Sequence, residues 1–355
     1  MKKLIFLITL LLSLFSTVVS ADNTYMSIDG EEFFNETVSE LSTGNFNITP
    51  QRVIDYILDL LFSEISQSRT MIISIFIIAL LSGVLNVINN DKLKASNTAH
   101  FSCFALMSVA VIKLINISIG YGTEVISQMS TFVTKLAPIL SILLASSGYV
   151  TSASSFYPVF TSSIYIICLI IEKLIIPIIY AGCVISIANN LNNYIQLNHF
   201  GNMLKSFSKW LLTAALTIFS GINAIYGFCA PSLDNVGMKT AKFAVGSIIP
   251  LVGNFLSESI ETVMTGTQLM KNAVGTAGII SLLVICAVPC IKIAAIMISI
   301  KITAAIIEPI SDKKYADMLN EATSSIALMF ASLLCVCVLF ILTIAIIIGT
   351  TNNIT

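Results

Sequence analysis

What this chain has least of is charge. Of its 355 residues only 10% are Asp, Glu, Lys or Arg, against 56% hydrophobic. Soluble domains carry roughly a quarter charged residues because a folded surface must be hydrated. The chain cannot hide so much apolar surface in a core of its own, so lipid must solvate part of it. It reads as an integral membrane protein. Its 18 basic and 19 acidic residues leave a net charge of −1, which excludes the dense positive field a nucleic-acid partner needs. No basic run marks a patch for anionic lipid either. Histidine is nearly absent, with only His100 and His199, and no Cys-x-x-Cys pair starts a zinc ligand set. The eight cysteines all lie in or beside apolar stretches, and residues 22–69 have none. They read as small buried hydrophobes. No metal or cofactor is expected.

Catalytic signatures are missing as well. There is no GxxxxGK[ST] loop, so the chain does not hydrolyse ATP by that route, and neither HExxH nor a GxSxG elbow occurs. A protease acting inside the membrane needs a serine dyad or an aspartate pair at depth, and neither stands out. The chain is read as a non-enzyme.

What is present is hydrophobic length. Lys2 and Lys3 precede a short apolar core and Val19-Ser20-Ala21, the pattern of an export leader cleaved after Ala21, with an uncleaved anchor as the alternative. Residues 22–69 form the one water-soluble portion of any length. Within it, Thr49 as N-cap and Pro50 at the first helical position open an amphipathic helix with Val53, Ile54, Ile57, Leu58, Leu61 and Phe62 on one stripe. A spanning helix needs about 20 mostly apolar residues, and 70–88, 99–119, 164–188, 211–229, 276–300 and 325–349 meet that length. The expected fold is an all-α polytopic membrane protein with six long spanning helices, or eight if 137–150 and 155–172 both cross. Alternation from an exported start puts loops 89–98, 189–210 and 301–324 in the cytoplasm, where lysines are denser, and the C-terminus outside.

Two shorter apolar pieces, 137–148 and 244–256, fall below spanning length. The second carries Gly246, Pro250 and Gly253. Pro138 and Pro177 are 39 residues apart, as are Pro250 and Pro289, and a shift of 112 residues superposes the two pairs. That is either a parallel repeat or the similarity any alternating helices show. Short Gly/Pro-broken segments at matching places in two halves point to a pathway or binding region. Bare backbone at membrane depth must be sheltered or wet, so 244–256 is expected to dip in from the outer side. Intramembrane charges usually face a bundle interior or water. Lys113, Glu172, Lys173 and Lys292 are such charges, with Glu172 pairing to Lys113 or Lys292 as one arrangement. Snorkelling of Lys113 or a helix break at Glu172–Lys173 is the other.

From residue 240 onward the chain has a recognisable pattern. Val245-Gly246-Ser247, Pro250, Val252-Gly253, Lys271-Asn272-Ala273-Val274-Gly275, Pro289 and Glu308-Pro309 together resemble the stage III sporulation protein AE family of endospore-forming bacteria. The resemblance implies a mother-cell protein in the membrane around the engulfed forespore, acting as platform or gate in a secretion-like channel between the two cells. Its implied partners are a cytoplasmic ATPase, ring-forming bitopic proteins and membrane lipid, and it admits a homo-oligomer. The alternative is a stand-alone secondary transporter, which the repeat and the intramembrane charges favour.

Overall fold

The computed structural model describes residues 72–81, 94–189, 198–248, 253–309 and 311–349. The leader at 1–21, the region 22–69 with its amphipathic helix, and Pro250 lie outside the described residues. Within those residues there are six helices: α1 (Ile72–Leu81), α2 (Lys94–Ser146), α3 (Val150–Asn189), α4 (Asn198–Ile248), α5 (Gly253–Ile307) and α6 (Lys313–Gly349). The helices α2 to α6 are each long and apolar enough to cross a membrane, and α1 is a shorter apolar helix inside the expected span 70–88. The protein is an all-α polytopic membrane protein.

The last helix is the hub. It packs against every other long helix, because apolar or small residues recur nearly all round it. Met318, Leu319, Ala322, Ile326, Met329, Leu333, Val336, Phe340, Ile344 and Ile347 are all buried. A helix that is hydrophobic on most sides belongs inside a bundle. Its one regular outward line is Leu334, Val338 and Leu342, which are 40%, 53% and 48% exposed.

Contacts fix the directions of the others. The α2 ring of Phe104 lies 5.4 Å from that of Tyr315 on α6, and Leu136 and Ile344 both abut Gly278 of α5. Thus α2 runs parallel to α6, and α5 runs antiparallel to both.

Sequence and structure differ in where elements end. The pieces 99–119 and 137–148 are two parts of one helix of 53 residues, about 80 Å at roughly 1.5 Å per residue. The linking stretch is polar, but a helix satisfies its backbone whatever its side chains are, and nothing in 120–136 forces a turn. Pro138 removes only the hydrogen bond to the Thr134 carbonyl. The chain reverses instead at 147–149. There Gly148 takes φ 92°, Gly148 N–H donates to Ala145 O at 2.9 Å and Tyr149 N–H to Leu144 O at 3.1 Å. This is a glycine-centred helix stop, sealed by the buried contact of Leu144 with Tyr149 and Ala153.

The expected span 164–188 starts earlier, at Val150. Glu172 and Lys173 do not break it. They sit in one wide π-helical turn, Ile171–Ile175, closed by Ile176 N–H on Ile171 O. Pro177 follows directly, and the widened turn accommodates a ring that cannot donate to Lys173. Residues 244–248 belong to α4 and 253–256 to α5, and the middle of the expected dip at 244–256 lies outside the described residues. The helix order repeats across the 112-residue shift; Pro138 lies inside α2 and Pro289 inside α5, while Pro250 lies outside the described residues.

Candidate functional site

The distinctive chemistry of the fold lies at its two ends, where polar groups fasten helices that are otherwise held by apolar packing. At the end containing the 147–149 turn, Lys271 of α5 is fully buried. Its Nζ donates to the carbonyls of Ile347 at 3.1 Å and Ile348 at 3.3 Å. These belong to the last turn of α6, the negative end of the helix dipole, where a cation is favoured.

One turn along α5, a Cβ on Gly275 would stand 2.6 Å from the Ile348 side chain, and one on Gly278 would stand 2.6 Å from Leu136. Gly227 of α4 leaves similar room for Ile346. Small residues let the helices approach this closely where lipid offers no hydrophobic drive for association.

The same end holds Asp234 of α4. Its carboxylate accepts from Thr151 N–H at 2.8 Å and Ser152 N–H at 2.7 Å. The α3 N-terminus has no capping side chain of its own at Tyr149, so a residue more than eighty positions away supplies the cap. Burial disfavours the charged carboxyl, but hydrogen bonds from Ser152 and Thr151 outweigh it and hold the pKa below its ordinary value.

At the opposite end, buried Lys205 of α4 forms an ion pair with Glu321 of α6, and its Nζ also lies 3.5 Å from the Glu321 carbonyl. Beside it α3 and α4 cross at glycines. A Cβ on Gly182 would be 3.3 Å from Gly201 O, and one on Gly201 would be 2.5 Å from Ser186 Oγ.

Of the residues singled out from sequence, Lys271 and Gly275 come together against the end of α6, with half-buried Asn272 beside them. Gly246 lies in the last turns of α4 and Gly253 opens α5. Pro289 is half-buried inside α5. Glu308 and Pro309 are exposed at the turn into α6, where Glu308 N–H still donates to Ala304 O at 3.0 Å and the proline ends the helix. Lys113 and Glu172 are half-buried and Lys173 is exposed. Lys292 lies 5.1 Å from the Tyr121 ring centroid, a cation–π contact rather than the expected ion pair with Glu172.

Asp234, Lys205, Glu321, Gly182 and Gly201 were not visible from the sequence. Each meets a partner on another helix, so no local spacing marks it. Among the described residues no group of three or more metal-ligating side chains assembles, and the described cysteines are free thiols. The arrangement is built to fasten helices.

A family model described as stage III sporulation protein AE matches residues 33–351. A Bacillus subtilis (strain 168) protein named stage III sporulation protein AE is 28% identical over 321 residues, which is 90% of this chain and 80% of that protein. No solved structure matches.

Proposed function

The chain belongs to the stage III sporulation protein AE family, and from that membership we propose that it is a membrane platform or gate in the channel joining mother cell and forespore. It contributes to spore development without catalysis of its own, and energy comes from a separate cytoplasmic ATPase. Ring-forming bitopic subunits and lipid are its other partners. It sits in the mother-cell membrane around the forespore, with the 147–149 turn and the C-terminus extracytoplasmic and the Glu308–Pro309 turn cytoplasmic.

The observation that carries this reading is the central helix α6, which touches every other long helix and is tied by Lys271 at one end and Lys205 at the other. A bundle clasped top and bottom around one helix suits a fixed scaffold better than two halves that rock past each other.

The test is purification of the tagged full chain from sporulating cells, with crosslinking. Recovery with an ATPase and bitopic membrane proteins is expected. A chain that purifies alone and moves a small solute into liposomes would instead be a stand-alone transporter.

A further inference from the structure

We propose that the face of α2 from Asn116 to Thr134 is one wall of a water-filled passage through the membrane. On α4, exposed Trp210 and Tyr226 are separated by sixteen steps, about 24 Å at roughly 1.5 Å per residue, the spacing of aromatic side chains at the two edges of a bilayer. The Lys205–Glu321 pair lies just beyond Trp210, and Gly227, next to Tyr226, abuts Ile346. The hydrocarbon therefore covers α6 from about Ser325 to Ile344, its most apolar stretch.

The same level can be read across to α2. Ser108 Oγ meets Met318 Sδ at 3.3 Å, and Leu136 and Ile344 share the Gly278 notch. Residues 115–136 of α2 thus lie beside the apolar core of α6, in the middle of the membrane.

At that depth α2 should show lipid an aliphatic face, as α6 does with Leu334, Val338 and Leu342. It does not. Counting by three or four, its exposed and half-buried positions run Asn116, Gly120, Thr123, Ser127, Thr131, Thr134. The same arc carries charges at three levels, from Lys113 through Glu124 to Lys135. Above and below it the outward residues turn apolar again, with Val109 51% and Ile142 65% exposed. The strip is thus confined to the hydrocarbon layer.

Hydroxyls alone would not decide the matter, because they can fold back on the helix. Thr123 Oγ1 does so, donating to Ile119 O at 3.0 Å. The Glu124 carboxylate, which only accepts when ionised, has no such refuge. The Gln128 amide on Glu124 Oε1 at 3.4 Å is itself another polar group on this side. Facing lipid, these groups are costly, so they face water or protein. The small residues of this line would also suit a close-packed helix. Such a helix would bury the charges of Lys113, Glu124 and Lys135 as well, a desolvation cost that water does not impose, so water fits the strip better.

Two further charges sit at the same level, Lys292 of α5 over the Tyr121 ring of α2 and Glu172 in the wide turn of α3. Intramembrane charges on three helices thus lie at this depth. One chain offers only one wall, so closure belongs to the assembly. In that respect the inference deepens the channel reading.

The test is labelling of single cysteines in a chain whose eight native cysteines are replaced. Ser127→Cys and Thr131→Cys are compared with Val338→Cys in opened membranes from sporulating cells, using a charged methanethiosulfonate reagent applied to both sides. Thiolates form only in water, so the two strip positions should react at least about ten-fold faster than position 338. Equal rates would overturn the proposal. So would reaction only in membranes lacking the other sporulation subunits, since that would mean a partner covers the strip. If the cysteine-free chain does not accumulate, Ser127→Leu with Thr131→Leu in the native chain serves instead. Normal protein level with lost spore formation supports the passage, and unimpaired spore formation overturns it. Labelled strip positions in a chain that spores do not require would keep the passage and remove the sporulation role.

Discussion

Replacing Lys271 with methionine tests whether the polar clasp at the end of α6 holds the bundle. The substitution keeps the length of the stem and removes the ammonium, so the carbonyls of Ile347 and Ile348, now 3.1 and 3.3 Å from Nζ, lose the hydrogen bonds it donates. Two effects oppose each other. Removing a buried charge relieves its desolvation, while a buried carbonyl left without a donor costs about 1–3 kcal/mol. The lysine already has its acceptors and the favourable end of a helix dipole, so the second effect is expected to win. Lys271→Met should lose about 1–3 kcal/mol, roughly a five- to 160-fold shift in the folding equilibrium. Lys271→Ala should lose more, because it also removes stem methylenes worth about 0.8 kcal/mol each. The assay is thermal unfolding of the purified full chain in nanodiscs with a fluorogenic thiol dye. Cys286 and Cys337, 3% and 4% exposed, react only once the bundle opens. Lys209, which is exposed, provides the control, and Lys209→Met should melt like the wild type. A Lys271→Met protein as stable as wild type would refute the reasoning.

The other predictions use the same melt. Gly201→Ala should destabilise by about 1–3 kcal/mol through overpacking on Ser186, whereas Gly221→Ala, with nothing within 4 Å of its Cβ, should be neutral or stabilising through helix propensity. Asp234→Ala should cost about 1 kcal/mol, as loss of an N-cap does. Because the Asp234 pKa is lowered on folding, its stabilisation is complete above the ordinary carboxyl value and fades as pH falls through the lowered one, so Asp234→Asn should flatten that acid-side loss. Lys205→Glu should destabilise by breaking its pair with Glu321, and the reversed pair, Lys205→Glu with Glu321→Lys, should recover part of the loss in a double-mutant cycle.

Much of the architecture was legible along the chain because hydropathy is a local sum. The apolar windows at 211–229, 276–300 and 325–349 each fall inside one observed helix. Lys271 and Gly275 were picked out within one motif and do meet the same neighbour. Boundaries were less legible. The polar stretch 120–136 looks like a loop when lipid is assumed to surround every residue, yet it is continuous helix. The Glu172–Lys173 pair looks like a break, yet one wide turn absorbs it together with Pro177.

The sequence by itself determined that lipid solvates the chain and that helices carry it. Each of these depends only on composition and spacing. Tertiary structure decided which residues clasp which, because Asp234 finds Thr151 and Ser152, and Lys205 finds Glu321, only once helices distant in sequence lie side by side. It also decided that the polar strip points away from the chain's own core. Periodicity can put residues on one face of a helix, but only the packing of neighbouring helices fixes the direction in which that face looks.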